Sequence, residues 1–179
     1  MRAGDIGSRS SLLSLTAVLL LSLTSCGESG NEKREYSIPE SLCGVNVGTD
    51  LLAPFMPPGK RIHQAEDETA TIIWSCEVSV DGKDVFRIGR ESWEPGWSTR
   101  RFALRHAYVQ PEHEATDKSY VYSDKGAVAT VRCTEKGGDR DLFLVVKAGE
   151  NTAGEEAMEK FVIAYREEFL KSDPCADER

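Results

Sequence analysis

The chain has 179 residues, a net charge of −8 from 22 Lys and Arg against 30 Asp and Glu, and 40% hydrophobic residues. That length and composition suit one globular domain with a real core, and the acidic balance argues against a nucleic-acid partner, because backbone phosphates demand clustered Lys and Arg. Five cysteines, an odd number, leave one without a disulfide partner in a secreted chain.

Residues 1–10 carry Arg2 and Arg9 against Asp5, and Leu12 to Leu23 is apolar apart from Ser14, Thr16 and Ser22. This run is shorter than the roughly 20 apolar residues of a membrane-spanning helix. A basic start, a short apolar stretch and small residues before a sharp change of composition predict a signal peptide over residues 1–25. The two arginines are not adjacent, so no twin-arginine signal is expected.

At its end stand Leu23, Thr24, Ser25 and Cys26, which resemble the lipobox of bacterial lipoproteins. The resemblance implies cleavage before Cys26, a diacylglyceryl group (palmitate-type chains) on its thiol, and an extracytoplasmic protein anchored to the outer face of the cell membrane. Stable anchoring takes two acyl chains, and a diacylglyceryl group supplies two. With Cys26 as the lipid site, Cys43, Cys76, Cys133 and Cys175 remain, an even set suited to an oxidising compartment. None is in C-x-x-C spacing, which argues against a zinc ribbon or a thioredoxin-type centre. The leader is net +1, so residues 26–179 carry −9. That sign argues against electrostatic adhesion to anionic lipid and leaves the acyl chains as the membrane attachment.

Residues 26–37 have no apolar periodicity and predict a flexible lipidated tether, with the folded domain over 38–175 and a short tail at 176–179. Thr49 or Asp50 caps a short helix through Phe55, stopped by Pro57 and Pro58. From Thr69 to Val80, alternation places Trp74, Cys76 and Val78 on the buried face of a strand. Asp81–Gly82 is a hairpin signal, and Lys83 to Trp93 returns as a second strand. Tyr120–Tyr122, Ala127–Cys133 and Asp141–Lys147 predict three more, separated by turns at Asp124–Gly126 and Gly137–Gly138. Residues 97–109 fit helix or strand spacing, with helix the preferred reading. Thr152 and Glu155 form a capping box ahead of a helix whose apolar stripe is Met158, Phe161, Val162, Tyr165 and Phe169, closed by Pro174. The expected class is α+β: a single domain with an antiparallel sheet of about four to six strands, helices packed mainly on one face, and two disulfides.

Four cysteines allow three pairings. Cys43 precedes the first helix and Cys76 lies in the strand that follows it; Cys133 ends a strand and Cys175 sits just past the last helix, whose end can return to that sheet edge. The expected bridges are therefore Cys43–Cys76 and Cys133–Cys175.

Ile38–Gly44 (IPESLCG), Pro54–Lys60 (PFMPPGK), Cys76–Lys83 (CEVSVDGK), Tyr122–Cys133 (YSDKGAVATVRC) and Ala164–Cys175 (AYREEFLKSDPC) are similar to stretches of the small cysteine-paired secreted lipoproteins of actinobacteria, a group of unknown function. The resemblance implies an envelope-exposed accessory domain and transfers no catalytic residue.

No nucleophile elbow, P-loop, H-E-x-x-H or dinucleotide fingerprint is present, so no cofactor and no catalytic residue is assigned. A scattered site remains an alternative, with His63, His106 and His113 as the available imidazoles. Glu112, His113 and Glu114, with Asp117 nearby, form a possible ligand set for a hard cation or simply a solvated acidic loop. Trp93 and Trp97 flank a Pro95–Gly96 turn, and Arg100, Arg101 and Arg105 follow. Arginine beside aromatics is the composition of binding hot spots; the plainer alternative is core tryptophans and arginines paired with nearby acids. Two function classes follow. One is a membrane-anchored module binding an envelope protein, polymer or small ligand through the Trp–Arg face. The other is a hydrolase or metal-assisted enzyme whose site has no sequence signature.

Overall fold

The computed structural model describes residues 33–70, 73–135, 138–150 and 153–175. The expected leader, Cys26, the first part of the tether, Gly137 of the second turn signal, Thr152 of the capping box and the tail at 176–179 lie outside these residues. A small hairpin, β1 (Ser41–Leu42) and β2 (Val45–Asn46), precedes helix α1 (Thr49–Leu52), which runs on into a 3-10 turn at Ala53–Phe55. The main sheet holds β3 (Ile62–Ala70), β4 (Ile73–Val80), β5 (Lys83–Trp93), β6 (His113–Glu114), β7 (Tyr120–Tyr122), β8 (Gly126–Glu135) and β9 (Gly138–Ala148). Helices α2 (Thr99–Ala103) and α3 (Glu155–Leu170) complete the fold.

The sheet is antiparallel throughout, in the order β3-β4-β5-β9-β8-β7-β6. Its seven strands exceed the four to six expected. The extra ones are β3, a polar edge strand with no hydrophobic alternation, and β6, two residues long. At Asp81–Gly82, both residues have positive φ (50° and 80°) and Val80 pairs with Lys83, as a two-residue type I′ hairpin requires. The Asp81 carboxylate also accepts from the backbone N–H groups of Lys60 (2.9 Å) and Arg61 (3.0 Å), tying the turn to the start of β3.

Strand alternation divides the core between the two faces of the sheet. On one face Cys76, Val78, Phe86, Ile88, Leu144 and Val146 are buried against α3, through its full expected stripe, and against the α1 segment. Phe55, Phe86 and Phe161 meet there with ring centroids 4.9 to 5.6 Å apart. On the other face Val128, Phe143 and Val145 lie under Phe102 and Ala103 of α2. Thus α1 and α3 share one face, and α2 takes the other.

The helix at 97–109 is shorter than the preferred reading: five residues, capped by the Ser98 hydroxyl, which accepts from Arg101 N–H at 3.2 Å, then irregular turns to Val109. Helix α3 begins at Glu155 behind Gly154 (φ 86°), which offers no side-chain cap. Both bridges join the expected partners, with Cα–Cα separations of 5.8 Å for Cys43–Cys76 and 5.4 Å for Cys133–Cys175.

Among the described residues, Arg34, Glu35 and Tyr36 are bonded to the body of the domain. Glu35 N–H donates to Gly59 O at 2.8 Å, the Arg34 guanidinium donates to Ala53 O (3.3 Å) and Met56 O, and Tyr36 OH donates to Pro57 O at 2.5 Å. No helix among the described residues is long and apolar enough to cross a membrane.

Candidate functional site

The Trp–Arg stretch is organised by the last residues of β5. Alternation sends Glu91 and Trp93 to the α2 side of the sheet and Arg90 to the α3 side. A turn then reverses the chain, with Gly96 at φ 103° and its N–H donating to the buried Asp141 carboxylate at 3.1 Å. This returns Trp97 beside Trp93, ring centroids 5.1 Å apart.

Helix α2 is fastened from below. Phe102 stacks flat on Phe143 at 3.9 Å, and Thr99 Oγ1 donates to Lys118 O at 2.6 Å while lying 2.8 Å from Thr130 Oγ1. With that face fixed, Arg100, Arg101, Leu104 and Arg105 are exposed. The Arg101 guanidinium lies 4.2 Å from the Trp97 ring centroid; that of Arg105 lies 4.7 Å from Trp93 and 5.6 Å from Trp97. Arg100 makes no such ring contact among the described residues.

Both tryptophans are half-buried against the second core, but the arginines do not follow the plainer expectation. Among the described residues none of the three has a carboxylate within 4.0 Å. Stacking on indole leaves the N–H edges of a guanidinium free for an acceptor. Leu104, 68% exposed, adds an apolar side chain to the same stretch.

Beneath this surface runs a polar network with no sequence signature. Glu91 accepts from Trp93 Nε1 at 3.2 Å and lies 3.3 Å from His106 Nε2, whose Nδ1 is 3.4 Å from Tyr108 OH. The hydrogen bond from His106 holds the Glu91 carboxyl below its ordinary range, against the opposing effect of burial, with Trp93 and the charge of Arg105 acting in the same direction. Burial, with the nearby Glu91 charge, pushes the Tyr108 hydroxyl up. The only signal available beforehand was that residues 91 and 93 share a strand face.

The acidic loop differs from its expected form. Glu112 and His113 are joined by Glu155 of α3, not by Glu114, with ligand atoms within 4.8 Å of one another and all three residues exposed. His113 and Glu114 are consecutive in β6, so their side chains leave on opposite faces. His113 Nε2 lies 2.9 Å from Glu155 Oε2, and its ring packs on Tyr122 at 5.0 Å. His63 is exposed in edge strand β3, opposite Ser79 and apart from this cluster.

Comparison with known proteins gives no match: no family model, no curated protein and no solved structure aligns significantly with the chain.

Proposed function

We propose that this is a lipid-anchored envelope protein, held by a diacylglyceryl group on Cys26, that binds an envelope protein or polymer through the face of Trp93, Trp97, Arg101 and Arg105. The observation that carries the reading is the stack itself. Two guanidinium groups with no carboxylate within 4.0 Å among the described residues lie over two adjacent indoles, on a helix locked to the sheet from beneath. Rigid aromatics beside arginine concentrate binding energy, and a supported surface loses little conformational entropy on association.

The enzymatic alternative has one observation in its favour, the Glu91–His106 pair with its lowered carboxyl. Both imidazole nitrogens of His106 are already engaged, one by Glu91 and one by Tyr108. A general base needs a free nitrogen within reach of its substrate, so the pair is better read as support for Trp93.

Two measurements test the proposal. Intact mass of the membrane fraction should show the acyl modification in the wild type and lose it in Cys26→Ala; an unmodified, membrane-free mature protein contradicts the anchor. Arg101→Glu with Arg105→Glu should weaken envelope pull-down about tenfold or more, while melting shifts only by the about 0.5–1 kcal/mol of each exposed stack. Unchanged capture with a large stability loss contradicts the binding face.

A further inference from the structure

A second surface lies where β5 and β8 begin and β9 ends. There an open cleft of about 1240 Å3 is lined by Lys33, Lys60, Lys83, Lys125 and Lys147. All five lysines are exposed, and none has a carboxylate within 4.0 Å among the described residues. The acids of the cleft are partly engaged: Glu77 is paired with Arg87, and Asp81 accepts the Lys60 and Arg61 amides. Glu35, Asp84 and Glu150 also line it. Six cationic against five acidic residues make the cleft +1, which leaves −10 for the rest of residues 26–179. The acidic balance of the whole chain therefore conceals a polar distribution of charge.

The chain enters the domain at this same end. Lys33 is both a cleft residue and the first described one, and only six residues, Gly27 to Glu32, separate it from Cys26. Seven peptide units span at most about 25 Å. A domain anchored through Cys26 cannot move its Lys33 end farther than that from the lipid surface.

We infer that this lysine-lined cleft docks on the anionic headgroups of the bilayer that holds the anchor, so that the domain sits with its β5 start toward the membrane. The inference rests on the anchor reading above and adds an orientation to it. Lysines on flexible stems near a negative surface are attracted within about one Debye length, and a short tether keeps these within reach. The Trp–Arg face lies at the opposite end of β5, about 33 Å along the strand, and so points away from the lipid.

The test uses residues 26–179 carrying Cys26→Ala, so that no acyl chain contributes. At low ionic strength this protein should float with vesicles containing phosphatidylglycerol, fail to float with neutral phosphatidylcholine vesicles, and detach as salt is raised. Lys83→Glu, Lys125→Glu and Lys147→Glu together should weaken the association about tenfold or more. The charge-matched control, Lys118→Glu, Lys160→Glu and Lys171→Glu, lies off the cleft and should stay within about twofold; melting curves establish that both variants fold. Equal losses in the two variants, equal binding to neutral vesicles, or no association with anionic vesicles overturns the inference. So does tight binding of inorganic pyrophosphate without vesicle association, which identifies a free-anion site. If the wild type proves unlipidated while the cleft still discriminates between the vesicles, the anchor reading fails and the cleft inference stands.

Discussion

Glu91 is the residue on which the candidate face is levelled. It accepts the Trp93 indole N–H and meets His106, so its charge fixes the orientation of an aromatic that Arg105 then covers. Because its folded-state carboxyl is held below the ordinary glutamate value of 4.5, linkage gives a definite sign. The stabilisation is fully present above pH 4.5 and is lost as pH falls through the lower folded value. Glu91→Gln removes this titration. In denaturant titrations across pH, the wild type should be the more stable form above that value, and the two curves should converge in acid. Curves that stay parallel over the whole range contradict the assignment. The composition around Trp93 was legible in the sequence; this network was not, because Glu91 and His106 are fifteen positions apart and meet only once α2 is seated.

Among elements, Arg90 of β5 is a junction. Its guanidinium lies between Trp74 of β4 (3.8 Å) and Phe169 of α3 (4.7 Å), and it donates to Cys43 O at 3.1 Å. Three elements are thus joined beside the Cys43–Cys76 bridge. Arg90→Ala removes two cation–π contacts and leaves a carbonyl without its donor, so it should cost about 2–4 kcal/mol. Urea unfolding measures it, and a loss below the surface-substitution range of about 0.5 kcal/mol sinks the claim. Arginine in a strand gives no hint of this, whereas elements with a clean period were readable. The apolar stripe of α3 and the alternation of β4 each bury one face, and burial imprints the period. Edge strand β3 has no such imprint. Among the described residues no strand pairs with its outer edge, and its Glu66 and Asp67 discourage a further strand from adding there. Helix α2 was overestimated for a related reason: Phe102 and Ala103 complete its buried contact within a single turn, so nothing extends the helix further.

At the scale of the whole molecule, the chain enters the fold through a strap, Lys33 to Leu42, that ends at a covalent knot. Arg34, Glu35 and Tyr36 hold the strap to residues 53–59 by a few hydrogen bonds, and Cys43 is then bonded to the middle of β4, a strand paired on both sides. A pull on the tether therefore meets a soft element in series with a hard stop. The strap peels first, releasing ten residues or about 35 Å of contour, and the load then passes through sulfur into the sheet. In oxidising buffer, a single-molecule pull from Cys26 against a handle on β5 should show one short extension at low force and then stiffness; a long first step contradicts it. Reductant removes the stop. The domain can thus yield to motion of its surroundings by a fixed slack, giving up the buried Leu42 but leaving the seven-stranded sheet intact, and the oxidation state of one bond sets that limit.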